Sequence, residues 1–218
     1  MKKTACLTRR HKALRRTALA LVLLLLLWLT PFYHLTPGQV TRREAKDRML
    51  EGSAEILETQ YLWEDHTLRA LQLSRTEEST LLILARWNFL TGWALESSSR
   101  AQPGVSLDAG FLQCSYESSQ RSWGILASFG RLRSPEIAAL KLSAQSSGLV
   151  DGVWTEGEYA SLDTDGTAFL AREEERYFLR RLPLEVGAGA HWNVSLEALD
   201  SGGEPVAVRT SDDYWAYW

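Results

Sequence analysis

The pattern of apolar and polar positions changes character twice along the chain. From Thr17 to Thr41 there is no Asp, Glu, Lys or Arg, and Ala18–Leu29 is unbroken apolar and mostly leucine. Trp28, Phe32 and Tyr33 cluster at the far end of this run, as aromatic residues do at a lipid–water boundary. Thr17 to Leu35 is 19 uncharged residues, close to the ~20 that a helix needs to cross ~30 Å of hydrocarbon. The pattern predicts a transmembrane helix over 17–35. A cleaved signal peptide shares the basic start and the short apolar core. Its cleavage site is missing: Leu29-Thr30-Pro31-Phe32 lacks a small-x-small pattern, and Thr36-Pro37-Gly38 carries a proline. An uncleaved anchor is the preferred reading.

A helical period follows. In Thr36-Pro37-Gly38-Gln39, Thr suits the N-cap, Pro the first turn and Gln the third position of a capping box. Thr41 with Glu44 offers a second start. Met49, Leu50, Ala54, Ile56, Leu57 and Tyr61 then recur at helical spacing. This predicts an amphipathic helix over 36–63, running from about Pro37 to Gln60, with a narrow apolar stripe packed on a sheet.

After that the period shortens. Leu68–Leu73, Thr80–Trp87, Leu90–Leu95, Phe111–Tyr116 and Trp123–Phe129 are short β-prone runs, and Glu77-Glu78, Asn88 and Ser97–Gly104 separate them. Leu81–Ala85 is apolar at every position, which predicts a central strand covered on both faces. Ser134-Pro135-Glu136 opens Ile137–Leu142, where helical propensity competes with a turn entering a strand. Gln145–Gly152 reads as a loop. Glu158–Leu162, Thr167–Ala171, Tyr177–Leu182, Trp192–Leu199 and Val206–Arg209 read as further strands. In Trp192–Leu199, Trp192, Val194, Leu196 and Ala198 alternate with Asn193, Ser195 and Glu197, and Asp200–Gly203 turns the chain back. The expected fold class is α+β, mostly β: a transmembrane helix, an amphipathic helix, then eight to ten strands over 64–218 in an antiparallel sheet or β-sandwich, with 130–135 as the place where that region would subdivide.

Charge sharpens the topology. The net charge of −3 divides unevenly: residues 1–16 hold seven of the 24 basic residues and no acid, leaving 17 basic and 27 acidic residues, or −10, for the rest. A basic arm before the apolar run and acids behind it keep the amino end in the cytoplasm and export the remainder. An acidic exported part argues against nucleic acid as a partner. Cys6 and Cys114 would lie on opposite sides of the membrane and cannot pair. Cys114, on the strand face of Leu112 and Tyr116, reads as a buried apolar side chain. Export without an internal disulfide suggests a bacterial cell envelope, where the Asn193-Val194-Ser195 glycosylation pattern has no meaning.

No motif nominates a catalytic residue, a metal ligand or a cofactor. Asp163-Thr164-Asp165-Gly166-Thr167 matches the DxDGT signature of haloacid dehalogenase-like phosphatases. That chemistry needs a downstream lysine, and the last lysine is Lys141; only 51 residues follow Thr167. A hairpin turn between Tyr159–Leu162 and Ala168–Leu170 accounts for the same residues. His34, His66 and His191 are too dispersed for an imidazole metal site; His34 is placed at the membrane interface and His191 at a strand start. GxSxG, Walker, HExxH and CxxC patterns are absent, and no pair among the acids is singled out for sugar hydrolysis. Arg172–Arg176 reads as a solvated loop. Eight of nine tryptophans follow the apolar segment. Trp63, Trp87, Trp93, Trp123, Trp154 and Trp192 are expected in the core. The tail is different: Tyr214, Trp215, Tyr217 and Trp218 form either a last edge strand or an exposed aromatic surface, and are the candidate partner-binding residues.

Two stretches carry a resemblance. Phe89-Leu90-Thr91-Gly92-Trp93 places a Gly-Trp after a β-rich run. Trp123-Gly124-Ile125-Leu126 leads into Phe129-Gly130-Arg131-Leu132-Arg133-Ser134-Pro135-Glu136-Ile137, with Leu140 and Leu142 beyond. Over Leu81–Leu142 this resembles uncharacterised small single-pass membrane-anchored extracytoplasmic proteins of Bacillota, although arginine (19) largely replaces lysine (five) here. The resemblance implies export and a β reading of Ile137–Leu142, and supplies no active site. The expected function is a non-enzymatic binding or interaction domain at the bacterial cell envelope, anchored in the lipid bilayer through 17–35, with an envelope protein or glycan as partner. A carboxylate-dependent envelope hydrolase and a structural or assembly subunit of a membrane complex are the alternatives.

Overall fold

The computed structural model describes residues 2–29, 34–64, 66–117, 122–150, 153–164, 169–182 and 191–211. Helix α1 spans Lys2–Leu29. Its first half is basic and its apolar part begins at Thr17, so among the described residues no helix is long and apolar enough to cross a membrane. Residues 30–33 of the expected span lie outside the described residues.

Helix α2 spans Pro37–Asp47. Its start follows the capping signal: the Gln39 side-chain oxygen accepts the N–H groups of Leu35 (2.7 Å) and Thr36 (3.3 Å). The helix expected over 36–63 ends here. Met49 takes a left-handed φ of 55° and Gly52 one of 79°, which breaks the helical hydrogen-bond ladder. From Glu55 the residues Ile56, Thr59, Tyr61 and Trp63 suit a pleated strand better than a helix. The apparent helical stripe is split accordingly. Leu50 and Ala54 tuck beneath α2 beside Ala45 and Leu81, whereas Met49 and Tyr61 face solvent.

Among the described residues, twelve strands form three four-stranded antiparallel sheets. The first sheet is a meander of β1 (Glu55–Glu64), β2 (Thr67–Arg75), β3 (Thr80–Asn88) and β4 (Gly92–Arg100). The second has the order β5 (Leu107–Glu117), β6 (Ser122–Leu132), β10 (Glu175–Leu182), β9 (Leu170–Arg172). The third has the order β12 (Pro205–Thr210), β11 (His191–Leu199), β7 (Ala139–Val150), β8 (Val153–Thr164).

Strand alternation sorts the apolar residues into successive layers. On β3, Leu81, Ile83 and Ala85 face the helix α2 side, where Ile83 and Ala85 meet Val40, Ala70 and Trp93. Leu82 and Leu84 face the other way, onto Leu112, Ala127, Phe129, Tyr177 and Leu179 of the second sheet. All five residues from Leu81 to Ala85 are fully buried, as their unbroken apolar run predicts. The far side of the second sheet, with Phe111, Leu126, Phe178 and Leu182, packs on Leu142, Trp192, Val194 and Leu196 of the third. The result is helix, sheet, sheet, sheet. The α+β, mostly β class holds.

Several local expectations change. Ser97–Gly104 was expected to separate strands, yet β4 runs through Ser99 to Arg100 because its serines have partners: Ser98 Oγ donates to Glu44 Oε1 (2.6 Å) and Ser99 Oγ to the Phe111 carbonyl (2.7 Å). Residues 145–150 of the expected loop belong to β7, which pairs with β8 across a bulge at Gln145/Ser147. The turn of the hairpin expected around Gly166, residues 165–168, lies outside the described residues; among the described residues β8 pairs with β7, and β9 pairs with β10 in a different sheet. The turn-into-strand reading of Ile137–Leu142 is the one realised, with Ile137 buried and β7 starting at Ala139. Of the tryptophans expected in the core, Trp93 and Trp192 are buried, Trp87 is half-buried and Trp63 is exposed; the side chains of Trp123 and Trp154 lie outside the described residues.

Layering of this kind makes a sharp prediction. Leu82→Ala opens a cavity between two sheets and should cost about 2–5 kcal/mol. Phe89→Ala, at an exposed turn, should stay within about 0.5 kcal/mol. Urea midpoints of the full chain in detergent measure both.

Candidate functional site

Two surface depressions and a set of internal ion pairs hold the polar chemistry of the described residues. The first depression lies on the outer face of the third sheet. Because Trp192, Val194 and Leu196 point inward, Asn193, Ser195 and Glu197 of β11 point out. Register then builds polar rows across strands. Gln145 of β7 stands opposite Asn193, and Ser143 opposite Ser195, which pairs on its other side with Thr210 of β12. A third row sets Lys141 against Glu197, with Nζ to Oε2 at 3.8 Å. The ladder between β11 and β12 ends at Ser195/Thr210, and there Ser211 Oγ accepts the Val194 N–H (3.0 Å) in place of a backbone carbonyl.

The depression has a volume of about 220 Å³, and its polar lining is Ser143, Gln145, Asn193, Ser195, Thr210 and Ser211. Among the described residues every polar group there is a hydroxyl, a carboxamide or backbone, and none of these lining residues carries a charge. Hydroxyls and carboxamides both donate and accept, so the site suits a neutral ligand rich in hydroxyl groups.

The second depression, about 200 Å³, lies between α2 and β4 and is lined by His34, Arg43, Glu44, Asp47 and Trp93, among others. Its carboxylates are engaged. Glu44 Oε1 accepts from Arg48 Nε (2.7 Å) as well as from Ser98, and Asp47 lies 3.6 Å from Arg43 Nε.

Ion pairs run across the strands of the first two sheets, and Arg75 ties one sheet to the other. Arg69 of β2 meets Glu96 of β4 (2.8 Å), and its guanidinium lies 4.4 Å from the ring centre of Tyr116 on β5. Cys114 sits beside them, and burial pushes its thiol above the ordinary value. It is therefore a protonated packing residue, with Leu112 and Tyr116 on the same core. Arg75 reaches Glu55, Glu173 and Glu175. Asp108 accepts from Arg131 Nε (3.0 Å), Arg133 Nε (2.7 Å) and the Gly104 N–H (3.0 Å). Burial opposes the Asp108 charge, but the hydrogen bonds from Arg133, the Gly104 amide and Arg131 outweigh it and hold the carboxyl below its ordinary range.

Arg172–Arg176, expected as a solvated loop, divides. Glu173 and Glu174 form an exposed turn. Glu175 binds Arg131 (2.7 Å) and accepts the Tyr177 hydroxyl. Arg176 donates to the carbonyls of Ile137 (2.9 Å) and Ser134 (2.7 Å), fixing the crossover into the third sheet.

The candidate partner-binding residues Tyr214, Trp215, Tyr217 and Trp218 lie outside the described residues. Ser211, the last residue before them that is described, lines the first depression. Asp163 belongs to β8, opposite Lys141 in register; Asp165, Gly166 and Thr167 lie outside the described residues. His34, His66 and His191 are not brought together, and among the described residues no three His, Cys, Asp or Glu are grouped to hold a metal ion. The alternation of Trp192–Leu199 already marks Asn193 and Ser195 as outward. Gln145 and Ser143 are missed because their strand is read in part as a loop.

Asp108 and Glu175 both have carboxyls held below their ordinary range. Their stabilisation is fully present above the unfolded value of about pH 4 and is lost as pH falls through the lower folded value. Asp108→Asn should cost about 3–5 kcal/mol at pH 7, because Arg131 and Arg133 lose their shared partner. The gap between the two proteins should narrow by pH 3, and denaturant midpoints at both pH values measure it.

Compared with protein-family models, with curated proteins and with solved structures, the chain finds no match in any of the three.

Proposed function

We propose that the chain is a single-pass membrane-anchored protein with its amino end in the cytoplasm. Its β-rich region serves outside as a non-enzymatic binding module for a neutral, hydroxyl-rich component of the bacterial cell envelope. The anchor rests on the uncharged run from Thr17 to Leu35 behind seven basic residues. The binding role rests on one observation: an open depression on the third sheet that, among the described residues, is lined by hydroxyls and carboxamides.

Several features favour binding. The depression presents the exposed Asn193 carboxamide, which can both donate to and accept from vicinal hydroxyls, with Gln145, Ser195 and Thr210 alongside it. Among the described residues its polar lining is Ser143, Gln145, Asn193, Ser195, Thr210 and Ser211, groups that hold hydroxyls by hydrogen bonding. An aromatic tail of two tryptophans and two tyrosines begins three residues beyond Ser211, and aromatic faces are effective partners for sugar rings through their apolar area. Two sheet spacings of ~10 Å each separate this face from the first sheet, which adjoins the apolar segment.

Retention of the full chain, in detergent, on insoluble envelope polysaccharide tests the proposal. The wild-type protein should be retained. The double variant Gln145→Ala with Asn193→Ala should bind about tenfold or more weakly, as expected for losing hydrogen bonds of about 0.5–1.5 kcal/mol each. Leu35→Ala, outside the depression, should bind as the wild type does. Failure of the wild type to bind, or binding unaffected by the double variant, would sink the assignment of this face.

A further inference from the structure

Helix α2 covers only part of the outer face of the first sheet. At the end that carries the β1–β2 and β3–β4 turns, Trp63 pairs with Leu68 and Trp87 with Trp93. The rings of Trp87 and Trp93 meet edge-on at 5.6 Å, and Tyr61 lies 6.1 Å from Trp93. Beyond this cluster the apolar side chains are open to solvent: Tyr61 is 61%, Trp63 67%, Phe89 84% and Leu90 77% exposed. Single exposed apolar residues are ordinary, but a contiguous group of large ones marks a contact surface.

The same end receives the chain from its apolar segment. His34 forms a bridge with Gly92 at the mouth of the β3–β4 turn, and the Trp93 N–H donates to the His34 carbonyl (2.8 Å). His34 is five residues beyond Leu29, where α1 ends, a reach of at most ~18 Å in a fully extended chain. The expected span ends at Leu35, one residue past that bridge. A backbone hydrogen bond therefore couples the foot of the anchor to this turn.

We infer that Phe89 and Leu90, with Tyr61 and Trp63 behind them, rest in the headgroup layer of the bilayer that the anchor enters. The inference builds on the anchored reading above and adds a second, sheet-borne membrane contact. The arrangement has the character of an interface: aliphatic and phenyl groups at the tip, with amphipathic Trp and Tyr behind, the residues that gather at membrane boundaries. One donor at the tip is already satisfied within the turn, since the Leu90 N–H is held by Asn88 Oδ1 (2.8 Å). A protein partner would have to reach this end beside the bilayer surface. The lipid is already there.

The test uses the full chain, with Cys6→Ser, in vesicles of phosphatidylethanolamine and phosphatidylglycerol. An environment-sensitive fluorophore is placed at Leu90→Cys, at Phe89→Cys, or at the isolated exposed residue Val105→Cys, and the Cys6→Ser parent reports background labelling of buried Cys114. Lipid carrying a nitroxide near its headgroup should quench positions 89 and 90 several-fold more than position 105. Equal quenching at all three sites, with the chain still held in the vesicles after an alkaline wash, overturns the second contact and leaves the anchor standing. Loss of the chain from the vesicles on that wash overturns both. Shielding of 89 and 90 that depends on protein concentration and not on lipid assigns the surface to a second copy, and likewise overturns the inference.

Discussion

Everything in this fold depends on one demand: the second sheet is covered on both faces. Where both faces are covered its strands must supply apolar side chains to each, and adjacent residues must serve different cores. On β10, Tyr177 and Leu179 face the first sheet while Phe178 and Leu182 face the third. On β6, Ile125 and Ala127 face one way and Leu126 the other. Parallel sheets ordinarily meet this demand with helices on both sides; here two further antiparallel sheets meet it. The third sheet carries the half-covered pattern, and its polar face is what the surroundings can read, whereas the first sheet is covered on its outer side by α2 and a cluster of aromatic residues.

Such a stack leaves few places for charge, and the protein concentrates it at layer edges. Asp108 and Glu175 each meet two arginines and Glu96 meets Arg69, and Arg75, Arg131 and Arg176 each bridge segments far apart in sequence. Arginine suits this work because its planar fork binds several oxygens at once. The preference for arginine over lysine thus has a structural use in this chain. These ties select one register and one orientation between layers; a slip of one residue would bury charges without partners.

The class of fold is legible in the sequence because it depends on local period: Leu81–Ala85 and Trp192–Leu199 announce a doubly covered strand and a half-exposed one. The failures are equally physical. The spacing of Leu50, Ala54, Leu57 and Tyr61 satisfies a helix by arithmetic, but left-handed Met49 and Gly52 end the helix and the neighbouring strand recruits the remainder. Ser97–Ser99 look like a linker until Glu44 and the Phe111 carbonyl supply partners from other layers. The candidate site shares this difficulty. Asn193 and Ser195 are marked by alternation alone, but their neighbours Gln145 and Thr210 are set by pairing across 48 and 15 residues of sequence, which no local pattern carries.

The order in which strands enter the sheets bears on how the chain comes together. The first sheet is a local meander, complete once Arg100 is made. The rest is interleaved: the chain builds two strands of the second sheet, two of the third, returns for β9 and β10, and leaves again for β11 and β12. Leu132 waits for Arg176, and Leu140 for Ala198. Contacts of this separation are slow to close, and the half-built layers expose apolar faces while they wait. Within residues 107–211, therefore, there is no internal cut that frees a self-sufficient piece. That half of the protein must mature as one late, cooperative event behind an early-formed base.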